Sequence, residues 1–151
     1  MKELPILNLP SYKLRIKTIK ERTRIFDVVR KKYLSLTLEE WVRQNFIHYL
    51  HEEKGYPLGL MGVERQVVYN SLNTRADIVI YNTVGNPIMV VECKAPNIKI
   101  TQDSFYQIAK YNSKLRVDIL IVTNGMRHFC CKMDYQENDH LFLSEIPKYE
   151  I

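Results

Sequence analysis

Three charged side chains, Asp77, Glu92 and Lys94, stand inside runs of residues that otherwise have the apolar character of buried β-strands. The first run covers residues 75–81 and the second covers residues 87–96. A carboxylate that loses water without gaining a partner costs several kcal/mol, so proteins exclude such groups from strand cores unless a counter-ion or metal compensates. The pattern therefore indicates a site that requires a cation.

The spacing of the two runs predicts that the carboxylates meet. A turn-forming loop separates the runs, which is typical of a β-hairpin. Pairing Tyr81 with Ile88 carries the register back to Asp77 opposite Glu92. Directly opposed residues have Cβ atoms about 5 Å apart, so both carboxylates can bind one divalent ion. Lys94 follows two residues after Glu92 and falls on the same face by the strand period of two.

Oxygen ligands of this kind suit a hard cation such as Mg²⁺, for which Mn²⁺ can substitute. A bound cation could polarise a phosphate and lower the pKa of a bound water. Lys94 would place a positive charge beside the attacking water or the phosphoryl transition state. These residues predict metal-assisted hydrolysis of a phosphodiester. The alternative is three coincidental charges at strand ends, because so short a pattern is common by chance.

The Asp77, Glu92 and Lys94 trio in a hairpin resembles the PD-(D/E)xK nuclease superfamily. Over residues 36–133 the chain is similar to the N-terminal domain of type I restriction enzyme R proteins. The segments that carry this similarity are residues 36–44, 75–77, 91–96, 107–111 and 122–125. The resemblance implies a DNA-cleaving domain of the restriction or repair type, with Mg²⁺ held by the two acids. It also implies an α/β fold with a restriction-endonuclease-like three-layer core, a central mixed β-sheet flanked by helices.

A helix predicted from Thr37 to about residue 54 carries two acids in its first turn. Thr37 and Glu40 fit a capping box, in which each side chain binds the backbone N–H of the other residue. Glu39 instead falls on the apolar stripe that should face the sheet, together with Val42, Phe46 and Leu50. The resemblance implies that a helix glutamate supports the metal site. Glu39 is the preferred candidate, and Glu40 is the alternative.

A second helix is predicted from Thr101 to about Ser113, with Gln107 and Tyr111 one turn apart on one face. This Gln-x-x-x-Tyr spacing resembles RecB-like nucleases, which implies that the pair borders the catalytic site. Gln107 would line the site and Tyr111 would contact DNA. The alternative is an amphipathic helix with an amide and an aromatic ring at its rim. Residues 117–123 should then form a strand buried on both faces, reached by a right-handed crossover.

Positive charge is concentrated at the start of the chain. Residues 1–36 contain ten Lys or Arg and three acids, a net charge of +7, whereas the remainder has twelve against fourteen, a net charge of −2. Cations alternate with apolar residues over residues 12–17, which predicts a strand in a basic β-hairpin with one charged face. The candidate nucleic-acid-binding residues there are Lys13, Arg15 and Lys17. The alternative is a solvated strand edge that its lysines protect from aggregation.

Length and composition favour one compact unit, since 151 residues with 46% hydrophobic content can bury one core but hardly two. We expect a basic N-terminal hairpin extension at residues 1–36, packed on a nuclease-like core at 37–133. Residues 134–151 should form an irregular C-terminal tail without chemistry.

The expected environment is the cytoplasm. No apolar run approaches the roughly 20 residues of a membrane span, and the start lacks the apolar segment of a signal peptide. The three cysteines have neither disulfide nor zinc spacing, so we expect them to be reduced and structural.

The expected partner is DNA, and the resemblance implies a helicase or specificity subunit in trans. The alternative function is a non-cleaving nucleic-acid-binding or assembly module of a restriction-modification or repair complex.

Overall fold

The structure is a computed structural model that describes residues 3–69, 72–112, 115–137 and 139–150, without the side chains of 68, 69, 72–74 and 111. A small antiparallel sheet comes first, with strand order β1-β2-β3. Its strands are β1 (Ile16–Ile19), β2 (Arg22–Asp27) and β3 (Lys32–Ser35). The predicted basic hairpin is therefore extended by a third strand. Lys20 and Glu21 form its tight turn with positive φ angles of 50° and 65°, which the twist of a two-residue hairpin loop favours.

Helix α1 (Leu38–Glu52) begins as the sequence predicts. The Thr37 hydroxyl accepts the backbone N–H of Glu40 at 3.0 Å, which satisfies one of the free donors of the first turn. The reciprocal half of the capping box is wrong, because the Glu40 carboxylate binds arginines instead. Val42, Phe46 and Leu50 on the predicted stripe are fully buried. A short 3-10 turn at Leu58–Leu60 then leads into the main sheet.

The main sheet is mixed, with strand order β4-β5-β6-β7-β8-β9. Its strands are β4 (Met61–Tyr69), β5 (Leu72–Tyr81), β6 (Pro87–Cys93), β7 (Ile119–Thr123), β8 (His128–Asp134) and β9 (Asp139–Leu143). Neighbouring strands are antiparallel except for β6 and β7, which are parallel. Helix α2 (Gln102–Asn112) lies in the crossover between these two strands, as a parallel connection requires.

The two helices cover opposite faces of this sheet. Phe46 and Leu50 of α1 pack in one buried cluster with Ile78 and Val91. Phe105 and Ala109 of α2 belong to a second buried cluster, which takes the adjacent strand residues Val79 and Val90. Because successive strand residues point to opposite faces, the apolar strands serve both cores at once. The result is a helix, sheet and helix arrangement in three layers.

The β5–β6 hairpin differs from the prediction only near its turn. Tyr81 pairs with Pro87 and not with Ile88, because an irregularity between Ile80 and Tyr81 shifts the register by one residue. Beyond that point Ile80 pairs with Met89, which is the predicted register. The shift therefore stays at the loop end and does not reach the charged residues.

The expectation of an irregular C-terminal tail is wrong. Strand β9 pairs with β8 and extends the main sheet. Farther on, Ile146 is buried, and the backbone N–H of Tyr149 donates to the Lys54 carbonyl at 2.8 Å. Asp134 and Asp139 pair at the ends of β8 and β9, and the apolar residues 141–143 complete strand β9.

The three cysteines are free and buried. Among the described residues, no helix combines the length and the apolar character that crossing a bilayer demands.

Candidate functional site

The middle of β5 and the end of β6 bring Asp77 and Glu92 together. Ile78 pairs with Val91, and the next step along that register places Asp77 opposite Glu92. Their carboxyl groups lie within hydrogen-bonding reach of each other. The two acids therefore converge, as the hairpin geometry predicts.

Burial is the main cause that raises the pKa of Glu92, to about 8. The negative charge of Asp77 and the hydrogen bond between the two carboxyl groups raise this pKa further, and Glu39 adds a smaller effect of the same sign. Lys94 acts in the opposite direction, as a cation near the carboxylate should. Without a divalent ion, the pair is therefore most stable with a proton on Glu92.

Both oxygens of Asp77 have partners. Oδ1 accepts a hydrogen bond from Arg43 Nη2 at 2.9 Å, and Oδ2 accepts the backbone N–H of Cys93 at 2.7 Å. The first contact ties β5 to helix α1, and the second ties it to β6. Since the two donors approach from different elements, the orientation of this carboxylate is fixed.

Arg43 is the residue that sequence reasoning missed. Its buried guanidinium lies 2.8 Å from Glu40 and 2.9 Å from Asp77, with Glu39 at 3.4 Å and Glu64 at 3.5 Å. The signal was present, because Arg43 follows the two helix acids by three and four residues, the spacing of side chains that meet on a helix surface. The contribution of Glu64 from β4 could not be read from that spacing.

The two helix acids have different surroundings from those expected. The Glu40 side chain is only 9% exposed and binds Arg43 and Arg30, whereas the Glu39 side chain is 48% exposed. Glu39 lies at the open end of the apolar stripe, close enough to influence the pKa of Glu92. Glu39 thus lies within electrostatic range of Glu92, whereas Glu40 belongs to a buried ionic network.

This network continues into the small sheet. The fully buried Asp27 accepts hydrogen bonds from the backbone N–H groups of Val29 and Arg30, from Arg30 Nε and from Gln44 Nε2, all within 2.9 Å. Arg30 also reaches Glu64 at 3.0 Å and Glu40 at 3.4 Å. We call Asp27, Arg30, Glu40, Arg43 and Glu64 the ionic network. It connects the turn after β2 with α1, β4 and the Asp77 carboxylate.

Glu64 was left out of the predicted site, but it borders Asp77 from β4. Val63 pairs with Ile78 and Arg65 with Ala76, which puts Glu64 opposite Asp77. Burial acts to raise the pKa of Glu64, but Arg43, Arg30 and Arg75 outweigh it and hold the pKa below its usual range. Glu64 is therefore a carboxylate already compensated by arginines.

The remaining predicted site residues are Lys94, Gln107 and Tyr111. The backbone N–H of Lys94 donates to the Thr123 carbonyl at 2.8 Å, which anchors Lys94 beside the end of β7. Gln107 is exposed on α2, and within the described ranges no hydrogen bond or ion pair joins it to the acids. Tyr111 lies in α2, but its side chain is outside the described part of the structure.

The predicted basic residues lie on or beside β1. Lys13, Arg15 and Lys17 are exposed. The Arg15 guanidinium lies over the Phe26 ring at 4.7 Å, and Lys17 Nζ lies over the Tyr33 ring at 3.8 Å.

The donor chemistry of the acid pair fits Mg²⁺. Asp77 and Glu92 offer the one or two carboxylates with which proteins usually hold this ion, the rest of its shell being water or substrate phosphate. The raised pKa of Glu92 beside Asp77 marks a place where negative charge is in excess. Among the described residues, no group of three or more His, Cys, Asp or Glu side chains could hold a metal ion. A cation here would therefore depend on these two carboxylates.

Comparison of this chain with protein families and with solved structures identifies related proteins. Residues 38–147 match the family described as the type I restriction enzyme R protein N terminus. A solved fragment structure of a putative HsdR subunit of a type I restriction enzyme from Vibrio vulnificus YJ016 has a similar fold, with a TM-score of 0.50 and 24% identity. The match covers 75% of this chain and 24% of that one, so this chain spans about a quarter of its length. No curated protein sequence matches. Since the family match covers most of its length, the chain belongs to the type I restriction enzyme R protein N-terminal family.

Proposed function

We propose that this chain is a divalent-metal-dependent nuclease domain that hydrolyses phosphodiester bonds of DNA. The observation that carries the proposal is the convergence of Asp77 and Glu92, close enough to share a proton, with the charge of Lys94 acting on the same pair. This is the trio of the PD-(D/E)xK nucleases that the chain resembles. Two adjacent carboxylates would repel a polyanion unless a cation lay between them.

Each residue has a role in this proposal. Mg²⁺, or Mn²⁺ in its place, would supply a Lewis acid and a bound water of lowered pKa. Asp77 and Glu92 are its oxygen ligands, and Arg43 and the Cys93 N–H hold Asp77 in position. Lys94 places an ammonium group beside the attacking water. Glu39 supports the acid pair, and Gln107 lines the surface over which DNA passes.

Glu92 must lose its proton before both carboxylates can act as ligands. Its raised pKa means that a cation and a proton compete for the same oxygen atoms. The free energy of binding a divalent ion therefore has to exceed the cost of ionising a buried acid beside Asp77.

A second function is favoured by one specific contact. Arg43 lies 2.9 Å from Asp77, so one of the two carboxylates is already compensated by the protein itself. Such compensation suits a non-cleaving DNA-binding or assembly module that keeps the fold. In either case we propose that the domain works on DNA, with a helicase or specificity subunit in trans.

Cleavage assays test the proposal. Purified protein is incubated with single-stranded, duplex and branched DNA in Mg²⁺ or Mn²⁺. Glu92→Gln and Lys94→Met should lower the cleavage rate by at least about 100-fold, the cost of removing one group that stabilises transition-state charge. Lys99→Met and Glu137→Gln change the same residue types at exposed positions and should leave the rate unchanged. A wild type that binds DNA but cuts none of these substrates in either metal would establish the non-cleaving module instead.

A further inference from the structure

We infer that the exposed face of the N-terminal sheet docks the phosphate backbone of duplex DNA, as a surface separate from the acid pair. The inference rests on the proposed function only in taking DNA as the substrate. We call this surface the basic face. Its members are Arg15, Lys17, Arg22, Arg24, Phe26 and Tyr33.

The strand register puts the cations of the basic face on one side of the small sheet. Lys17 pairs with Arg24, and the backbone N–H of Phe26 donates to the Arg15 carbonyl. Strand residues alternate between faces, so Arg22 and Arg24 share a side. The other side carries the fully buried Ile25. One side of this sheet therefore packs inward and the other presents four cations.

These cations have no carboxylate partners in the part of the chain that the structure describes. Arg15, Lys17, Arg22 and Arg24 make no salt bridge with any described residue, in contrast to Arg30 and Arg43 of the ionic network. Unpaired cations on one surface produce a positive potential that attracts a polyanion. The charge complementarity therefore favours nucleic acid as the occupant.

The aromatic rings indicate which part of the nucleic acid is recognised. Phe26 and Tyr33 lie 5.2 Å apart between ring centroids, and each ring is covered by a cation, Arg15 over Phe26 and Lys17 over Tyr33. A cation over the ring occupies a face on which a base would otherwise stack, which differs from the open aromatic platform of single-strand binding proteins. The rings instead hold the cations in fixed positions. Fixed cations without base contacts bind phosphates regardless of sequence.

Duplex DNA is the ligand that best fits this surface. A duplex carries one negative charge per about 1.7 Å of axis, twice the density of one strand. The small sheet is held to the rest of the domain by the buried Asp27 and by Arg30, which reaches Glu40 and Glu64. The basic face therefore has a fixed position relative to Asp77. It also lies before residue 38, where the family match begins, so the family does not assign its role.

The test is the salt dependence of DNA binding in metal-free buffer containing a chelator. Binding of a labelled duplex is followed by fluorescence anisotropy at several salt concentrations. The binding constant K falls with salt concentration, and each lost phosphate contact should reduce the magnitude of the slope of log K against log salt by about 0.9. Arg22→Gln should thus lower the slope by about 0.9, and Lys17→Gln combined with Arg22→Gln by about 1.8. Two duplexes of unrelated sequence should lose affinity equally.

The matched control is Lys132→Gln combined with Lys148→Gln, which removes two exposed cations elsewhere and should leave the slope unchanged. An unchanged slope in the Lys17 and Arg22 variants would overturn the inference, and so would an equal loss in the control. The inference would also be overturned if the Lys17 and Arg22 variants lost binding to anionic phospholipid vesicles but bound DNA as the wild type does. Because no metal is present, a failure of docking is distinguishable from a failure of cleavage.

Discussion

Glu92 keeps its proton to an unusually high pH because burial and the neighbouring Asp77 both oppose its ionisation. Metal binding should therefore release a proton below pH 8. We expect the affinity for Mn²⁺ to rise about tenfold per pH unit up to about pH 8 and to level off above it. Calorimetry in buffers of different ionisation enthalpy measures the protons released. An affinity independent of pH between 6 and 8 would show that Glu92 is not a ligand.

The same raised pKa has a consequence for stability. The folded state binds the Glu92 proton more tightly than the unfolded state, so ionisation of Glu92 destabilises the folded state. This destabilisation is absent below about pH 4.5, grows with pH and is complete above about pH 8. Glu92→Gln should stabilise the metal-free protein at pH 9 by roughly 1.5 kcal/mol, a figure that corresponds to only a third of the pKa shift. Urea unfolding at pH 4 and pH 9 tests this. Glu137→Gln, at an exposed position, should change stability at neither pH; equal curves for Glu92→Gln and wild type at pH 9 would contradict the prediction.

Arg43 compensates acids from three elements, and its removal should be costly. Arg43→Met leaves Glu40 and Asp77 without their buried cation and should lower the free energy of unfolding by about 3–5 kcal/mol. Arg43→Lys keeps the charge but loses the planar fork of donors, so it should cost less. Chemical denaturation ranks the two variants. If both cost under about 1 kcal/mol, the guanidinium does not hold the site together.

Site residues could be predicted from the sequence where the neighbouring residues made them stand out. Asp77 and Glu92 were predicted because a charge inside an apolar strand is conspicuous. Arg43 was not predicted, because a charge on a helix usually points to solvent, and its burial depends on the acids of β4 and β5 as well as on Glu40 of its own helix. The capping hydroxyl of Thr37 was predicted correctly, whereas the partner of the Glu40 side chain required the tertiary structure.

At the scale of elements, the turn after β2 is attached to α1 through Asp27. Burial acts to raise the pKa of Asp27, but hydrogen bonds from the backbone and side chain of Arg30 and from Gln44 lower it further than burial raises it. Its stabilising contribution is therefore present above the pKa of an unfolded aspartate, about 3.9, and is lost as pH falls through the lower folded-state value. Asp27→Ala should cost about 3 kcal/mol at neutral pH, since it removes the buried acceptor of Arg30 Nε, of Gln44 Nε2 and of two backbone N–H groups.

Thermal or urea unfolding measures that cost. The exposed Asp118 provides the matched control, and Asp118→Ala should change stability by no more than about 0.5 kcal/mol. Equal effects of the two substitutions would mean that the ionic network does not attach the small sheet to the rest of the domain.

The order of α1, the β5–β6 hairpin, α2 and β7 followed from periodicity and turn signals. The β5–β6 register near the site followed from matching two apolar runs across one loop. Strand β3 was missed because it is short and follows a tight turn. Strand β9 was missed because its pairing partner β8 is needed to recognise so short an apolar run beside acids.

At the scale of the whole molecule, three layers hold the acid pair where β5, β6 and the start of α1 meet. The small basic sheet is joined to that place by the ionic network. The domain limits 1–36, 37–133 and 134–151 stay a prediction, although strand β9 of the last segment belongs to the main sheet. The chain spans about a quarter of the length of its structural relative.

Calorimetric titration of the purified protein with Mn²⁺ at pH 8.5 tests the central claim most directly. The wild type and Lys94→Met should each bind one ion, whereas Glu92→Gln and Asp77→Asn should lose most of the affinity while remaining folded. Lys94→Met should nevertheless fail to cut DNA, which separates ion binding from hydrolysis. A wild type that binds no ion, or an Asp77→Asn variant that binds it as tightly, would contradict the account.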